Sequence, residues 1–456
     1  MRWSTAIVAS VLAAFGSAEP IRRHPSSVPF PASCPGVTKQ TPFNLTTAPG
    51  WKHALIATGL SRPRAVLFDK AGQLLVLEAG KGLTGHTLDP ATGCIATSKT
   101  LIANPALNHG LALSPDGKTV YVSSMPTAWS YAYDASTMTL TNQTVVVRGM
   151  NPGGHPSRTL AIPPNKPNLL IVSLGSEDNI DHASINKETG RAIVKVFDLS
   201  QTPAGGWTYN TQGWYLGYGL RNEIALVFDG NNHVWGVENS GDNLERTING
   251  QVADVHHDNP AEELNYLGDP SISNEQWYGY PTCWTVGPGG PAAFLPTDGP
   301  FTVGDQFTVT PNSTFNDASC EAQSTPPRLT IQAHSAPMDG KFDKNFKNMY
   351  VSLHGSWNRV PATGYKVVEI PFKKTVEGKG KGKGKGKGKD QEVTYEPVAA
   401  QDDPNGYRDI LWTENVATCN AGICLRPCGI TWHPDWSRMY VTSDGSVGEL
   451  YILYKE

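Results

Sequence analysis

The sequence predicts an all-β fold, namely a six-bladed β-propeller with long inserted loops. Three observations favour this class: a hairpin pattern that recurs six times, 46 glycines and 35 prolines in 456 residues, and hardly any long stretch of helix-period apolar residues. Glycine and proline at this frequency suit tight turns between short strands. Repeats that cannot bury their own apolar faces must stack, and short-stranded repeats stack radially around a channel.

Each copy of the pattern is an Arg, His or Asn, a short apolar strand, a tight turn, a second apolar strand and a closing polar residue. The six copies open at Arg64, His109, Arg158, Asn222, His334 and Arg426. In an antiparallel hairpin, the residue that opens the first strand and the residue that closes the second lie at the same end. The polar positions of all copies therefore face one rim, and the sequence predicts a polar funnel.

The spacing of the copies predicts where loops are inserted. His334 follows Asn222 by 112 residues and Arg426 follows His334 by 92, whereas a plain propeller blade needs ~40 to 50. The first interval has room to hide a blade, so six copies need not correspond one to one with six blades. The second contains a Gly/Lys tract at residues 377–390, expected to be a solvated surface loop inside a hairpin. Polyanion binding is the alternative reading of this tract.

The N-terminus has the layout of a secretory signal peptide. An apolar run at residues 6–15 is followed by three small residues, so residues 1–18 are expected to be removed. Residues 19–456 are then expected to form a single secreted domain and to be a monomer. Membrane insertion is not expected, because no later run reaches the ~18 to 20 apolar residues that cross a bilayer. Three sequons could carry glycans in a eukaryotic host, at Asn44, Asn142 and Asn312.

The charge and the cysteines narrow the class further. A net charge of -4 and a pI near 6.3 argue against nucleic-acid binding, and 17% charged residues argue against disorder. Seven cysteines in an exported protein should mostly be paired. The expected pairs are Cys34 with Cys94, Cys283 with Cys320 and Cys419 with Cys424, which leaves Cys428 buried in the last hairpin. Half of a metal site at the last three cysteines is the alternative.

The predicted rim is cationic and rich in hydrogen-bond donors. Its residues are Arg64, Asn108, His109, His155, Arg158, Arg221, Asn222, His334, His354, Arg359 and Arg426. So many donors in a partly desolvated volume would repel one another, so an anion is expected between them. A planar polycarboxylate would suit, since Arg forks pair with carboxylates. Any one of these residues alone could instead cap a strand end or form a surface pair.

Two segments of the rim carry further chemistry. The acidic stretch at residues 238–245, which includes Ser240, Gly241 and Asp242, offers carboxylate, amide and carbonyl oxygens of the kind that Ca2+ takes. A turn with capped ends explains it equally well. His155 follows two glycines at the start of the third copy, where an imidazole could project into the funnel as a general base.

Several motifs then carry a resemblance to a known family. They are GLRNEIALVFD (219–229), ENSGDNLE (238–245), HSAPMDGKF (334–342), LHGSWNR (353–359), RPCGI (426–430) and YVTSDG (440–445). The chain resembles the soluble glucose/sorbosone dehydrogenase family, and within it the fungal branch of pyranose dehydrogenases that depend on pyrroloquinoline quinone (PQQ). The resemblance runs from about residue 62 to residue 453 and implies a six-bladed propeller with PQQ and Ca2+ in its central funnel.

The resemblance also implies roles for individual residues. His155 would be the base, Arg64 and Arg158 would stabilise the developing quinone oxyanion, and calcium would lie at Ser240, Gly241 and Asp242, where bacterial relatives have Gly-Pro in place of Ser240-Gly241. PQQ would be bound by Arg64, Asn108, His109, Arg221, Asn222, His334, His354, Trp357, Arg359 and Arg426. The aromatic residues expected to stack on a sugar, or else to pack against the blade below, are Trp277, Tyr278, Trp284 and Trp357.

The function implied is oxidation of a sugar hydroxyl by hydride transfer to PQQ. No haem-attachment motif is present, so the electrons would pass to an external acceptor, such as a separate cytochrome. Two other classes remain as alternatives. A calcium-dependent propeller lactonase or hydrolase would favour carboxylates and amides around its metal, and a non-catalytic carbohydrate-binding propeller would not need a cationic funnel. The preferred sugar is not encoded in any of these motifs.

Overall fold

The structure is a computed structural model that describes residues 33–35, 37, 39–150, 153–377 and 392–456. These residues form six antiparallel sheets of four principal strands each, which confirms the predicted six-bladed β-propeller. The predicted signal peptide and residues 378–391, which include most of the Gly/Lys tract, lie outside the described residues. No helix in the described part of the chain has the length and apolar character needed to cross a membrane.

The first half of the chain supplies two N-terminal strands and blades 1 to 3. The N-terminal strands are β1 (Leu45–Thr47) and β2 (Trp51–Ala57). Blade 1 comprises β3 (Pro63–Phe68), β4 (Leu74–Glu78), β5 (Gly82–Leu88) and β6 (Ile95–Ala103). Blade 2 comprises β7 (Leu107–Leu113), β8 (Thr119–Ser124), β9 (Thr127–Asp134) and β10 (Thr139–Arg148). Blade 3 comprises β11 (Leu160–Ala161), β12 (Leu169–Leu174), β13 (Ile193–Asp198) and, after the short β14 (Trp207–Thr208) that joins blade 2, β15 (Trp214–Tyr218).

The second half supplies blades 4 to 6 and the insertions. Blade 4 starts with β16 (Glu223–Phe228) and β17 (Val234–Glu238), followed by an inserted hairpin of β18 (Glu245–Ile248) and β19 (Gln251–Asp254). Its third strand is β20 (Glu262–Gly268), followed by the inserted β21 (Trp284–Thr285), β22 (Gln306–Phe307) and helix α1 (Asp317–Gln323), and its fourth strand is β23 (Leu329–Ile331). Blade 5 comprises β24 (Pro337–Phe342), β25 (Asn348–Leu353), β26 (Lys366–Glu377), β27 (Glu392–Pro397) and β28 (Arg408–Thr413). Blade 6 comprises β29 (Pro427–Trp432), β30 (Arg438–Ser443) and β31 (Glu449–Lys455).

Each of the six sequence copies supplies the first two strands of one blade. The copies that open at Arg64 and Arg426, for example, form the β3–β4 and β29–β30 hairpins. The long interval after Asn222 therefore hides no blade, because its extra residues form the insertions of blade 4. In the second long interval, β26 and β27 pair from Phe372↔Pro397 to Glu377↔Glu392, which confirms the hairpin predicted around the Gly/Lys tract.

The N-terminal strands close the ring. β2 pairs antiparallel with β31, with Trp51 opposite Lys455 and Leu55 opposite Tyr451, so blade 6 combines one N-terminal strand with three C-terminal strands. β1 adds to the outer edge of β28 in blade 5. β2 thus covers the outer edge of β31, which would otherwise be the unpaired edge of blade 6.

The core lies between neighbouring blades, where both faces of each sheet are covered. This is why a second strand such as β4 reads as a continuous apolar run and is buried over its whole length. Between blades 4 and 5, the ring of Trp235 packs edge-on against Phe372 at a centroid distance of 5.1 Å. A serine near the end of a second strand also bonds to the next blade: Ser123 Oγ donates to the carbonyl of Arg158 at 2.7 Å.

All three expected disulfides are present: Cys34–Cys94, Cys283–Cys320 and Cys419–Cys424. Among the described residues, Cys428 is the cysteine without a disulfide partner, and it is fully buried, as predicted. The Cys283–Cys320 bond links the loop before β21 to helix α1. It therefore ties the two ends of the blade 4 insertion to each other.

Arg246 holds the blade 4 insertion together through two carboxylates, of which that of Asp298 is buried. Its side chain is 1% exposed, Nε lies 2.6 Å from Asp298 Oδ2, and Nη2 lies 2.8 Å from Asp317 Oδ2. Each carboxylate is bound by two guanidinium nitrogens, which is a geometry that the single ammonium of lysine cannot reproduce.

Arg246→Lys is expected to lower the free energy of unfolding by about 1–3 kcal/mol, because a buried carboxylate loses part of its charged hydrogen bonding. Chemical denaturation followed by tryptophan fluorescence would measure the change. Arg328→Lys is the matched control, since that side chain is 48% exposed and only 3.8 Å from Glu396; it should change stability by less than about 0.5 kcal/mol. Equal effects of the two substitutions would contradict the role given to Arg246.

Candidate active site at the rim of the channel

The hairpin registers place the opening and closing residues of each copy at one rim. The pairs at this end are Pro63↔Glu78, Leu107↔Ser124, Glu223↔Glu238, Pro337↔Leu353 and Pro427↔Ser443. Nearly all the predicted site residues lie within a few positions of these pairs. The structure gathers them into two groups, one around Asp444 and one around Asp242.

The first group, which we call the Asp444 cluster, consists of Arg64, His354, Arg426 and Asp444. One carboxylate oxygen of Asp444 accepts a hydrogen bond from Arg64 Nη1 at 2.7 Å, and the other lies 2.6 Å from His354 Nε2. Arg426 donates from Nη2 to His354 Nδ1 at 2.7 Å, and its Nε lies 3.8 Å from Asp444. Blades 1, 5 and 6 thus each bring a cationic or aromatic nitrogen group to one carboxylate.

The electrostatics of this cluster fix the protonation states. Burial lowers the pKa of His354 to about 4, although Asp444 opposes the shift. Burial alone would raise the pKa of Asp444, but the hydrogen bond from His354 and the charge and hydrogen bond of Arg64 hold it well below the usual range. With Arg426 donating to Nδ1, a neutral His354 carries its proton on Nε2 and donates it to Asp444. The cluster therefore holds two guanidinium groups against a single negative charge.

His109 and Asn108 line the rim beside this cluster. His109 is buried, and burial followed by the charges of Arg64 and Lys341 lowers its pKa to about 3. Asn108 Nδ2 donates to the carbonyl of Pro156 at 2.6 Å. The charge of Lys341 on β24 thus acts on the same volume, and its Nζ lies 2.6 Å from Asp339.

His155 is held with one ring nitrogen committed. Nδ1 lies 2.9 Å from the carbonyl oxygen of Ser176 and 3.1 Å from its hydroxyl. A carbonyl can only accept, so Nδ1 carries the proton and Nε2 keeps its lone pair. Burial, reinforced by the charge of Arg221, lowers the pKa of His155 to about 4. A neutral imidazole with an unprotonated Nε2 is the form that a general base requires.

The loop predicted to bind calcium is organised by Arg221. The guanidinium donates to the carbonyl of Ser240 through Nη1, and to Asp242 Oδ2 at 3.0 Å and Asn179 Oδ1 at 2.8 Å through Nη2. Asp242 also accepts from Asn358 Nδ2 at 3.1 Å, which joins this loop to the 354–361 loop of blade 5. Gly241 packs on Trp284, where an added Cβ would lie 2.7 Å from the indole ring.

Asn222 and His334 complete this second group. Asn222 is buried, and its amide oxygen lies against Gly175, where a Cβ would approach it to 2.7 Å. His334 hydrogen-bonds through Nε2 to the carbonyl of His256, and its Nδ1 lies 3.7 Å from Asp242. Both residues thus lie where the sequence placed them, at the start of their blades.

Two of the predicted site residues have a different role in the structure. Arg158 is fully buried, and its guanidinium donates to the carbonyls of Met125 at 3.0 Å and His155 at 2.6 Å, so it supports the His155 segment from behind and does not face the channel. Arg359 donates to the carbonyl of His257 at 2.9 Å and to Asp258 at 2.7 Å. It therefore fastens one loop to another and is not placed to bind a ligand.

The predicted aromatic residues also differ in their exposure to solvent. Tyr278 and Trp284 are buried, at 3% and 2% exposure, and Trp277 donates from Nε1 to the carbonyl of Tyr280. Tyr278 packs against strands of blades 3 and 4, as the alternative interpretation predicted, whereas Trp284 packs within the insertion against Tyr280 and Phe307. Trp357 is 72% exposed and stays available at the mouth of the channel.

Sequence reasoning missed several residues of the site: Lys341, Asn358, Asp444 and the Ser176 carbonyl. Asp444 had a signal, because it stands after the second strand of the sixth copy, where Asn239 and Ser240 stand in the fourth. The predicted rim is cationic and therefore includes no carboxylate beside its arginines. Ser176 had none, because it acts through its backbone, which any residue supplies.

Buried polar atoms without partners mark where a ligand would bind. Among the described residues, the unpaired atoms at the rim include Asn108 Oδ1, His109 Nδ1, Asn358 Oδ1 and Arg426 Nη1. Such atoms are costly unless something else satisfies them. Guanidinium, imidazole and amide groups around one volume suit a planar polycarboxylate, so the donor set fits a cofactor such as PQQ.

The chain is similar to known proteins in sequence and in structure. The profile of the TrAA12-like family matches residues 45–456. A "Pyrroloquinoline quinone-dependent pyranose dehydrogenase" from Coprinopsis cinerea is 40% identical over 426 residues, which are 92% of this chain and 56% of the relative. A "Pyrroloquinoline quinone-dependent sugar dehydrogenase" from Hypocrea jecorina is 34% identical over 417 residues, 89% of this chain and 88% of the relative.

Among solved structures, the holo form of the PQQ domain of the Coprinopsis cinerea pyranose dehydrogenase superposes with a TM-score of 0.85 at 40% identity. The match covers 93% of this chain and 100% of that domain. The chain thus spans about half the length of the Coprinopsis relative and corresponds to its PQQ domain. The resemblance inferred from the motifs is confirmed.

Proposed function

Because this chain belongs to the TrAA12-like family, we propose that it is a quinoprotein sugar dehydrogenase that oxidises a sugar hydroxyl with PQQ bound at the rim. The observation that carries the proposal is the convergence of cationic donors with unpaired buried atoms around one volume. The relatives are named for PQQ-dependent oxidation of pyranoses and sugars, and one of them is matched over 88% of its length. That match supports assigning the proposed activity to a propeller of this size.

The residues that would hold PQQ lie around Asp444 and on β7. Arg64 and Arg426 provide guanidinium groups for carboxylates, and Asn108 and His109 contribute the unpaired polar atoms beside them. Lys341 adds a positive charge on the same side. Asp444 lies behind the two arginines and fixes their direction, so it serves as a positioning residue and does not itself suit an anion.

When bound, PQQ supplies a quinone carbonyl carbon that accepts a hydride from the sugar. The chain's own part is to hold the reacting hydroxyl and to take its proton. His155 Nε2 is the acceptor that the hydrogen bond from Nδ1 to Ser176 leaves unprotonated. Burial, the main cause of the lowered pKa, keeps His155 neutral near neutral pH.

Calcium would bind at the loop of Ser240, Gly241 and Asp242. The carbonyl of Ser240 and the carboxylate of Asp242 are hard oxygen ligands, which suit this ion. Both oxygens already accept from Arg221, and a carbonyl oxygen has a second lone pair for another partner. We further propose that the enzyme is secreted as a monomer and passes electrons to an external acceptor such as a cytochrome.

Reconstitution of the purified protein tests the function. The protein is freed of ligands by dialysis against a chelator and then given PQQ with and without Ca2+. Reduction of an artificial electron acceptor is recorded with a panel of aldoses, 2-ketoses and osones. Sugar-dependent reduction that needs PQQ is expected. Lactone hydrolysis without PQQ, or sugar binding with neither activity, would replace the proposal by one of its two alternatives.

The lowered pKa of His155 predicts the pH dependence. A base must be deprotonated to work, so activity is lost as pH falls through its pKa, which is about 4 here. We expect kcat/KM to stay high from neutral pH down to about pH 5 and to fall below it. A pH profile with a saturating acceptor would measure this acid limb. An acid limb near 6.5, the value of an unperturbed imidazole, would contradict the assignment.

A further inference from the structure

A groove lies at the opposite end of the propeller from the rim, where the turns of blades 5 and 6 meet. It has a volume of about 290 Å3, and its lining includes Trp51, Lys344, Asn345, Tyr350, Trp432 and Trp436. We call it the Trp436 groove. Its residues belong to the β24–β25 and β29–β30 hairpins and to β2 and β31, and none of them takes part in the site at the rim.

Trp436 occupies a position that usually takes a residue without a large side chain. In five blades the turn between the first two strands has the same hydrogen bond, from the fourth residue to the first, and a left-handed fourth residue. That fourth residue is Gly72, Gly117, Asn232, Phe346 and Trp436 in blades 1, 2, 4, 5 and 6. A left-handed backbone is strained for a residue other than glycine, and least so for asparagine.

Packing does not account for the tryptophan. Phe346, with φ of 55°, is compensated by contacts with Phe342 and Tyr395 at centroid distances of 5.8 and 5.7 Å. Trp436, with φ of 64°, stays 41% exposed and touches one further ring, Trp432, at 6.0 Å and a tilt of 37°. Backbone strain that leaves a large aromatic ring in solvent points to a ligand.

The surroundings of the ring indicate the chemistry of that ligand. Trp432 Nε1 is buried and has no hydrogen-bond partner among the described residues. Lys344 and Asn345 are exposed beside the ring, and Lys455 lies over Trp51 at 4.7 Å. An aromatic face with mixed polar groups around it suits the C–H face and hydroxyls of a sugar.

We propose that the Trp436 groove binds a pyranose unit of a neutral oligosaccharide or polysaccharide, separately from the site at the rim. The size suits this occupant, since about 290 Å3 is near the lower end of the range of small-ligand pockets. Acidic and basic side chains both line the groove, so its charge does not favour a strongly charged ligand. The proposal does not depend on PQQ or on catalysis.

Trp436→Asn tests the proposal, because asparagine accepts the left-handed backbone and removes the ring. The full-length protein without PQQ is run in native gels that contain soluble β-glucan, xylan, mannan or amylose. Wild-type protein should be retarded by at least one of these, Trp436→Asn should weaken the binding about tenfold, and Trp436→Phe should retain part of it. The reconstituted dehydrogenase activity of Trp436→Asn toward a monosaccharide should be unchanged.

Trp357→Asn is the matched control, because it removes the exposed tryptophan at the rim. Retardation that Trp357→Asn abolishes and Trp436→Asn leaves intact would show that glycans bind only at the rim, and would overturn the proposal. No retardation by any glycan would do so as well. Sedimentation would detect a dimer that Trp436→Asn dissociates, and that result would assign the groove to a second copy of the chain instead.

Discussion

Replacing His155 with alanine is expected to lower turnover of the PQQ-loaded enzyme by a factor of ~100 to 10,000, with the cofactor still bound. The imidazole provides the unprotonated Nε2 at the site, while the groups that would hold PQQ are on other blades. His155→Ala therefore removes a proton acceptor but none of the groups that would pair with the carboxylates of PQQ. Steady-state kinetics would give the turnover, and the absorbance of the bound quinone after gel filtration would give the occupancy.

Two further variants sharpen this test. Ser176→Ala should retain activity within a few fold, because the backbone carbonyl that orients His155 survives the substitution. His53→Ala replaces a histidine on the outer strand β2 and should leave turnover unchanged. Wild-type turnover in His155→Ala would remove this residue from the mechanism, and loss of bound PQQ would assign it to binding.

Asp444→Asn is expected to destabilise the protein without PQQ by about 3–5 kcal/mol, because it leaves two largely buried guanidinium groups without their counter-charge. Bound PQQ would bring its own carboxylates to Arg64 and Arg426. The loss should therefore be much smaller with the cofactor present. Thermal unfolding of the variant and the wild type, each with and without PQQ, would measure both differences.

The pH dependence gives this prediction a second readout. A carboxylate whose folded pKa is depressed contributes stability above its unfolded pKa, and that contribution is lost as pH falls toward the folded value. The gap between wild type and Asp444→Asn should thus be widest above about pH 4 and narrow below it. Asp409→Asn, at a carboxylate that is 39% exposed, is the control and should show no such gap. Equal losses with and without PQQ would contradict the role given to Asp444.

The architecture could be predicted from the sequence because hairpin periodicity is a local property. Copies such as those that open at His109 and Asn222 repeat an apolar pattern that has only one way to be buried in a radial stack. The disulfides followed in part from the same logic, since Cys419 and Cys424 are five residues apart. The roles of the rim residues depend on contacts between blades, and such contacts join residues that are far apart in the sequence.

Arg158 and Asp444 illustrate the difference. Both stand at rim positions of their copies, and the sequence assigned catalysis to the first and nothing to the second. The Arg158 side chain points toward the carbonyls of Met125 and His155, to which it donates hydrogen bonds. Met125 is 33 residues away in sequence, so this contact cannot be read from the local pattern. Asp444 gains its importance from Arg64, 380 residues away. Position in a repeat predicts which end of the fold a residue occupies, and not the direction in which its side chain points.

The pairing of β2 with β31 has a consequence for biogenesis. Arg64 follows β2 directly and Asp444 precedes β31, so the salt bridge between them spans the seam at which the ring is closed. During synthesis, the two sides of this seam can meet only after β31 has left the ribosome. The Asp444 cluster therefore forms after the other blades have been made, and a chain still short of β31 has no complete pocket with which to bind a quinone.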